Sequence, residues 1–323
     1  MPNAEFVWNR MTARTLLDQT GTLLGLILVA VIFGVLVGSQ FFAPANVELM
    51  ARQTAIVCTA ALGMTIVIAL GGIDLSVGSM ISLATVVIAL LLRGGASPLV
   101  AALGGIAAAA ICGLLNGVLI TQLRLVPFIV TLGTMLVIRG AAKGLAEERR
   151  IEAPMTWLND MLRTAPGQIG LPGGIWTVIV LALVVAGLLR YTVFGRHVFA
   201  IGSNERMARL CGVPIARTKI AVYTLSAALT GVAGLLQFSK LAVGDPTVAI
   251  GTELDVIAAV IIGGGSLLGG RGTVAGTVMG AGIMAIIQVG CTQKGLASWV
   301  QQILTGGIIV AAVALDRLRT VRG

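Results

Sequence analysis

The chain has 323 residues, of which 57% are hydrophobic and only 11% are charged, and its mean hydropathy is +1.01. In a soluble domain about a quarter of all residues are charged, so this composition excludes a soluble globular protein. The formal charge of +9 does not indicate nucleic-acid binding, because the basic residues follow the loops of a membrane protein, as described below. We therefore expect an all-α integral membrane protein that forms a single domain over residues 1–323.

A membrane-crossing helix needs roughly 20 mostly apolar residues, and ten segments approach this length. The first is preceded by a polar segment, 1–20, and is too long for the apolar part of a signal peptide. The predicted spans are about 21–38, 54–70, 76–92, 98–121, 126–142, 174–190, 219–239, 255–268, 273–290 and 298–315. An even number of spans places both termini on the same side.

The distribution of basic residues gives the orientation of these spans, since Lys and Arg concentrate in cytoplasmic loops. With both termini inside, the inner segments carry a net charge of +8 and the outer segments +1. We therefore expect both termini in the cytoplasm.

The predicted cytoplasmic loop 191–218 contains a short helix at about 204–211. Ser203 and Asn204 are good N-cap residues, Glu205 suits the positive end of a helix, and Gly212 and Pro214 are stop signals. Because so short a helix is marginal alone in water, we expect it to rest against something. The partner is either a cytoplasmic subunit, on which it would dock, or the membrane domain and lipid headgroups.

The run GGIDLSVGS, 71–79, places Asp74 and Ser76 in an otherwise hydrophobic region. A carboxylate at membrane depth is unfavourable unless it faces water or a partner. Asp74 is therefore a candidate for the translocation pathway, and the alternative is a turn in which it caps the next helix. Asn116, inside the fourth span, and Glu253 and Asp255, before the eighth, are further pathway candidates. Hydrogen bonding between helices explains Asn116 as well, and helix capping explains the two acids.

The glycine-rich stretch 263–280 does not form a phosphate-binding loop, because no Gly-Lys dipeptide occurs in the chain. Gly272, Gly276 and Gly280 recur every four residues and predict a helix-packing face. The four cysteines are far apart and His197 is the single histidine, so the sequence offers no metal-ligand set and no cofactor site. With no nucleophile–base pair either, we do not expect an enzyme.

Three runs together resemble one family. The segments GMTIVIALGGIDLSVGS (63–79), FAIGSNERMARLCGVPIARTKI (199–220) and TELDVIAAVIIGGGSLLGGRGTVAGT (252–277) resemble those of the permease subunits of ribose-type ABC importers. The similarity covers nearly the whole chain in order. It implies a permease in the cytoplasmic (inner) membrane of a bacterium, which moves a monosaccharide across that membrane by alternating access, driven by ATP hydrolysis on a separate subunit.

The resemblance also implies partners: a cytoplasmic ABC ATPase, an extracytoplasmic sugar-binding protein and a second permease copy, either identical or paralogous. It places in the ATPase-coupling loop Gly195, Gly202, Asn204, Ala208, Gly212 and Pro214. We add Glu205, Arg206 and Arg209 from the short helix itself. A secondary transporter driven by an ion gradient is the alternative, although Asp74 is the single strong candidate for the intramembrane acid that it needs.

Overall fold

The computed structural model describes residues 4–163 and 172–321, with side chains described for residues 20–163 and 172–314. Within these ranges the protein is built from thirteen α-helices. They are α1 (Ala4–Val37), α2 (Pro44–Ala69), α3 (Val77–Arg93), α4 (Pro98–Gln122), α5 (Pro127–Leu145), α6 (Trp157–Asp160), α7 (Gly173–Tyr191), α8 (Val193–Ser203), α9 (Glu205–Leu210), α10 (Ile215–Leu241), α11 (Thr252–Ile262), α12 (Val274–Gln293) and α13 (Ser298–Val321). A 3-10 turn at Ser39–Phe42 joins α1 to α2.

The described residues also include two short strands, β1 (Ile151–Glu152) and β2 (Val243–Gly244), which form an antiparallel pair. They tie the segment after α5 to the segment after α10. The ion pair between Arg150 Nε and Asp245 Oδ2, at 2.9 Å, lies beside this pairing. The all-α prediction therefore needs only this small addition.

Seven helices are long and apolar enough to cross a membrane: α1 over Thr20–Val37, α2, α4, α5, α7, α10 and α12. Two shorter apolar helices are α3 and the Ser298–Ala314 part of α13. The chain is thus an integral membrane protein, as its composition predicts.

Several predicted boundaries were wrong. The second span begins at Pro44 rather than 54, because Pro fits the first turn of a helix and the polar residues that follow do not interrupt it. The first span agrees better: α1 begins at Ala4, and its membrane-crossing part, Thr20–Val37, matches the predicted 21–38. The eighth span, predicted at 255–268, is only the 11-residue α11, which is too short to cross a membrane alone. It ends at Gly263, and the next residue, Gly264, has a φ of +89°.

Helices α2 and α10 form the centre of the bundle and run antiparallel. Gly63 of α2 lies against the backbone of Ser226 in α10, while Gln53, nearer the start of α2, contacts Lys240 at the end of α10. In the most apolar stretch of α2, 78% of the residues are buried, whereas in that of α1 only 11% are. Leu and Ile side chains of α1 such as Leu24 and Leu28 are exposed, which is the surface expected for lipid contact.

The chain contains two similar series of four helices, which begin in opposite directions. Helix α2 is followed by a non-helical segment, 70–76, and then by α3, α4 and α5; α10 is followed by a mostly non-helical segment, 242–251, and then by α11, α12 and α13. Because α2 and α10 are antiparallel, the two sets of four helices begin in opposite directions. Inverted repeats with interrupted helices are a recurrent architecture of membrane transporters.

Candidate functional site

The segment between α7 and α10 forms two helices, α8 and α9, rather than one loop with a single helix. The second, Glu205–Leu210, is close to the predicted 204–211. Asn204 is its N-cap, and the backbone N–H of Met207 donates to Asn204 Oδ1 at 3.1 Å. Ser203, the other predicted cap, is instead the last residue of α8. The sequence signals therefore located this helix to within a residue at each end.

The C-terminal end of α9 is closed by two backbone hydrogen bonds. The N–H of Val213 donates to the carbonyl of Ala208 at 3.0 Å, and that of Gly212 to the carbonyl of Arg209 at 3.1 Å. This pattern is a Schellman motif, which requires a left-handed residue, and Gly212 has a φ of +78°. Pro214 then precedes α10 as its N-cap. The short helix is thus defined by its own ends.

Glu205 fixes α9 to α10. Its Oε2 accepts a hydrogen bond from Lys219 Nζ at 2.8 Å, and its Oε1 accepts one from Arg209 Nη2 at 3.2 Å. The hydrogen bond from Lys219, reinforced by the charges of Lys219 and Arg209, lowers the pKa of the Glu205 carboxyl below its ordinary value. This carboxylate is therefore ionised at neutral pH and holds the two helices together.

The outward surface of α9 combines basic and apolar side chains. Arg206 is exposed, Met207 and Leu210 are 55% and 81% exposed, and Ala208 is buried against the protein. Exposed apolar groups next to arginines are typical of surfaces that bind another protein. The helix therefore presents a rigid face that is suited to docking.

Three segments of the chain meet directly behind α9. Gly202, near the end of α8, lies so close to α2 that a methyl group there would overlap the carbonyl oxygen of Ala69. The same carbonyl accepts a 2.9 Å hydrogen bond from the N–H of Gly270, in the loop before α12. We call Ala69, Gly202 and Gly270 the three-segment junction. Gly195, another glycine predicted in the coupling loop, lies in the first turn of α8 and contacts the backbone of Leu189.

Asp74 lies in segment 70–76, which leads from this junction to α3, and it is fully buried. Its Oδ1 accepts hydrogen bonds from both the N–H (2.9 Å) and the Oγ–H of Ser76. Asn116 Nδ2 of α4 donates to Ser76 Oγ at 3.0 Å. The structure thus brings together three of the predicted pathway residues. Oδ1 of Asp74 stabilises the turn through its hydrogen bonds with Ser76, whereas Oδ2 has no hydrogen-bond partner among the described residues.

The N-termini of α3 and α11 meet inside the protein. A methyl group at Gly78 would overlap the carbonyl of Ala249, which precedes α11, and the Glu253 carboxylate. Glu253 Oε1 accepts a hydrogen bond from the N–H of Gly251 at 3.2 Å. The Glu253 carboxylate thus lies beside two helix N-termini, whose partial positive charges favour an anion, while its Oε2 has no hydrogen-bond partner among the described residues. Two interrupted helices that meet in this way are typical of substrate sites in transporters.

Asp255, two residues after Glu253 in α11, has different hydrogen-bond partners. It is 9% exposed, and its Oδ2 accepts a hydrogen bond from Gln288 Nε2 of α12. Gln288 contacts Gln53 of α2, which in turn contacts Lys240 of α10. Sequence analysis missed Gln53 because the predicted second span started at 54, and it assigned Lys240 to a loop. Gln53 stands just before one apolar run and Lys240 just after another, and this position was the signal in the sequence that could have identified them.

The predicted glycine face belongs to the contact between α11 and α12. Gly276 lies against the backbone of Gly263, and Gly280 against that of Ala259. Gly272 is not part of this face, because α12 begins only at Val274, and its nearest neighbour is Thr65 of α2. The spacing predicted one helix face, whereas the break before α12 separates the first glycine from the other two.

In the described parts of the chain, no group of three or more His, Cys, Asp or Glu residues is arranged to hold a metal ion. The described parts of the chain form a bundle of membrane helices, with interrupted helical segments inside it and a short helix exposed at one end. This combination defines a membrane permease.

Comparison with known proteins agrees. The chain belongs to the family described as branched-chain amino acid transport system / permease component, whose model matches residues 46–313. It is 36% identical over 304 residues to the ribose import permease protein of Bacillus subtilis (strain 168), with 94% of each chain covered. It is also 36% identical to the L-arabinose ABC transporter permease protein of Azospirillum brasilense, covering 87% of this chain and 82% of that protein.

A third relative is the D-allose transport system permease protein of Escherichia coli (strain K12), which is 31% identical and covers 93% of this chain and 92% of its own. These relatives confirm the predicted resemblance to ribose-type ABC permeases, and they support an ABC permease over a transporter driven by an ion gradient. The protein is a multi-pass membrane permease of the bacterial inner membrane.

Proposed function

We propose that this chain is the membrane subunit of an ABC importer and that it moves a monosaccharide by alternating access. A separate cytoplasmic ATPase supplies the energy, an extracytoplasmic binding protein delivers the sugar, and a second permease copy completes the channel. The names of the relatives described above mention ribose, L-arabinose and D-allose, and their sequence identities to this chain are similar. Because the three sugars differ, these names support a class of substrate, the monosaccharides, rather than one particular sugar.

The observation that carries the proposal is the geometry of α9. Its exposed face, with Arg206, Met207 and Leu210, is positioned for a cytoplasmic partner, while its other side is fixed by Glu205. Directly behind it, the three-segment junction touches α2 and the loop before α12. A displacement of α9 would therefore reach both interrupted repeats at once, as a coupling helix requires.

We further propose ten membrane-embedded helical segments with both termini in the cytoplasm. In addition to the seven long helices, α3 and α13 are apolar, and α11 is embedded because the non-helical segment 242–251 leads into it along α3. Gly244, Asp245 and Ala249 contact α3 at successively earlier residues, from Ala89 to Gly78. The positive charge of the loops that face the α9 end supports this orientation.

Reconstitution in liposomes tests the proposal. The chain would be co-expressed with the genes next to it, purified with its partners, and assayed for uptake of radiolabelled D-ribose, L-arabinose and D-allose. We expect a co-purifying ATPase and uptake that requires internal ATP and the binding protein. Uptake by the chain alone that follows an imposed ion gradient without ATP would refute the proposal.

A charge reversal on α9 tests the docking surface. Arg206→Glu should strongly reduce ATP-driven uptake while leaving membrane insertion intact, because Arg206 is exposed and forms no ion pair among the described residues. Arg124→Glu is the matched control, since Arg124 is an exposed arginine between α4 and α5 and does not belong to α9. Equal uptake by the two variants would contradict a docking role for α9.

A further inference from the structure

Four polar side chains from four helices form one continuous hydrogen-bonded row. Lys240 Nζ of α10 donates to Gln53 Oε1 of α2 at 2.7 Å, and Gln53 Nε2 donates to Gln288 Oε1 of α12 at 2.8 Å. Gln288 Nε2 donates in turn to Asp255 Oδ2 of α11. We call Gln53, Lys240, Asp255 and Gln288 the four-helix polar cluster. It joins α2 and α10, the central pair of helices, to α11 and α12 of the second repeat.

The cluster lies far from the surface proposed to bind the ATPase. Gln53 and Ala69 of the three-segment junction are about 24 Å apart along the axis of α2 at 1.5 Å per residue. Gln53, Lys240 and Gln288 are half-buried, and Asp255 is 9% exposed. Half-buried ammonium and amide groups on membrane helices are unfavourable against lipid. They are therefore expected to border an aqueous space between helices.

The charges of the cluster are arranged at its two ends. The ammonium of Lys240 and the carboxylate of Asp255 form no ion pair with each other, and the two glutamine amides separate them. Each amide accepts on the side of the lysine and donates on the side of the aspartate. The row thus contains, in sequence, a cationic donor, two neutral groups that both donate and accept, and an anionic acceptor.

We propose that the four-helix polar cluster is a sugar-contact site on the translocation path. The hydroxyl groups of a neutral monosaccharide replace the hydrogen bonds between Lys240, Gln53, Gln288 and Asp255 one for one as the sugar passes. The proposal rests on the proposed function as a sugar permease and adds the residues that the sugar touches.

The chemistry of the cluster fits a polyhydroxylated, uncharged ligand. Each sugar hydroxyl is a donor and an acceptor, so it can take the place of either partner in a row of this kind. Because the side chains satisfy one another when no sugar is present, binding exchanges hydrogen bonds and adds few. The net gain in binding free energy is therefore small, because each new hydrogen bond to the sugar replaces one between side chains. Weak binding suits a transport path, in which the ligand must also leave.

The same hydrogen bonds have a second possible role, which is to hold α2, α10, α11 and α12 together. The two roles differ in a measurable way. A purely structural cluster affects stability and makes no contact with free sugar, whereas a contact site binds sugar without any other subunit.

Saturation-transfer difference NMR on the permease in nanodiscs, without the binding protein and the ATPase, tests the proposal. The probes are D-ribose, L-arabinose and D-allose at millimolar concentration. We expect saturation transfer to at least one sugar in the wild type, and a Kd raised about tenfold in Gln53→Leu and Gln288→Leu, the change produced by roughly 1.4 kcal/mol. Gln301→Leu is the control, because Gln301 is a half-buried glutamine of α13 that donates to the carbonyl of Leu296 outside the cluster.

Lys240→Met provides a second variant that leaves the two amides in place, in case a leucine in the centre of the cluster prevents folding. Wild-type affinity in Lys240→Met and in both leucine variants would overturn the site, as would the absence of saturation transfer in a wild-type protein that takes up sugar in the reconstituted complex. Absence of ATP-driven uptake of any sugar by that complex would instead overturn the proposed function itself.

Discussion

The N–H of Gly270 donates a 2.9 Å hydrogen bond to the carbonyl of Ala69, and this bond joins the end of α2 to the loop before α12. Residue 202 lies against the same carbonyl and has no room for a side chain. Helix α9 begins three residues after Gly202, at Glu205. The segment that leads into α9 is therefore in backbone contact with the end of α2 and with the loop before α12, and such contact is stiffer than contact through side chains.

This contact predicts that Gly202→Ala is damaging. The added methyl would overlap the backbone of Ala69 and Gly270, so either α8 or α2 must shift, at a cost of about 1–3 kcal/mol. We expect a lower midpoint of thermal unfolding and reduced ATP-driven uptake. Gly187→Ala in α7 is the control, since nothing lies within 4 Å of its added methyl and Ala favours a helix over Gly. If both variants behaved alike, the junction would not be close-packed.

Glu205→Gln is expected to loosen α9 from α10. The change removes the charge that binds Lys219 and Arg209, and because Glu205 is 40% exposed, the loss is a few tenths to about 1 kcal/mol. The pKa of Glu205 is lowered in the folded protein, so its stabilising effect is complete above its ordinary pKa and disappears as the pH falls through the folded value. The difference in unfolding midpoint between wild type and Glu205→Gln should accordingly shrink below about pH 4. A difference that stays constant from neutral to acidic pH would exclude this ion pair as its cause.

Two substitutions at Asp74 separate its structural role from a role in transport. Asp74→Asn keeps an oxygen that accepts from the N–H and Oγ–H of Ser76, so we expect nearly wild-type stability. Asp74→Ala leaves buried donors without a partner, at about 1–3 kcal/mol, and should lower the unfolding midpoint and the yield. Sugar uptake by Asp74→Asn then decides the second role: loss of uptake at normal stability places the carboxylate on the pathway. An alanine variant as stable as the wild type would contradict the buried turn.

Cys211 offers a test of the proposed orientation. It is exposed and free at the end of α9, whereas Cys58 and Cys291 are buried. A membrane-impermeant maleimide should therefore modify the protein in inside-out vesicles and leave it unmodified in intact spheroplasts. Cys211→Ser should abolish the modification. Labelling from the outside of spheroplasts would reverse the proposed topology.

The short helix α9 illustrates what local signals can locate. Asn204, Glu205, Gly212 and Pro214 act within one or two turns of the backbone, so their effect does not depend on distant residues. The predicted 204–211 and the observed Glu205–Leu210 differ by one residue at each end. The role of this helix in docking stays a prediction.

The contact between Gln53 and Gln288 illustrates what local signals miss. Each is a glutamine in an apolar helix, and the two are separated by most of the chain. Only the antiparallel packing of α2 against α12 places their side chains 2.8 Å apart. The predicted crossing at 255–268 failed for a similar reason, because α11 is stabilised by its burial against α2 and α12 rather than by lipid.

The amino-acid sequence is enough to predict that this protein lies in a membrane, which family it resembles, and where its short exposed helix begins and ends. These properties follow from composition, from the order of motifs and from capping residues, none of which requires knowledge of how the helices pack. The folded structure was needed to show that the N-termini of α3 and α11 meet beside Gly78, that Gly202 touches Ala69, and that Lys240 is linked to Asp255 through two amides. These contacts join residues far apart in the chain, and helix packing, which depends on the shapes of whole surfaces, brings them together.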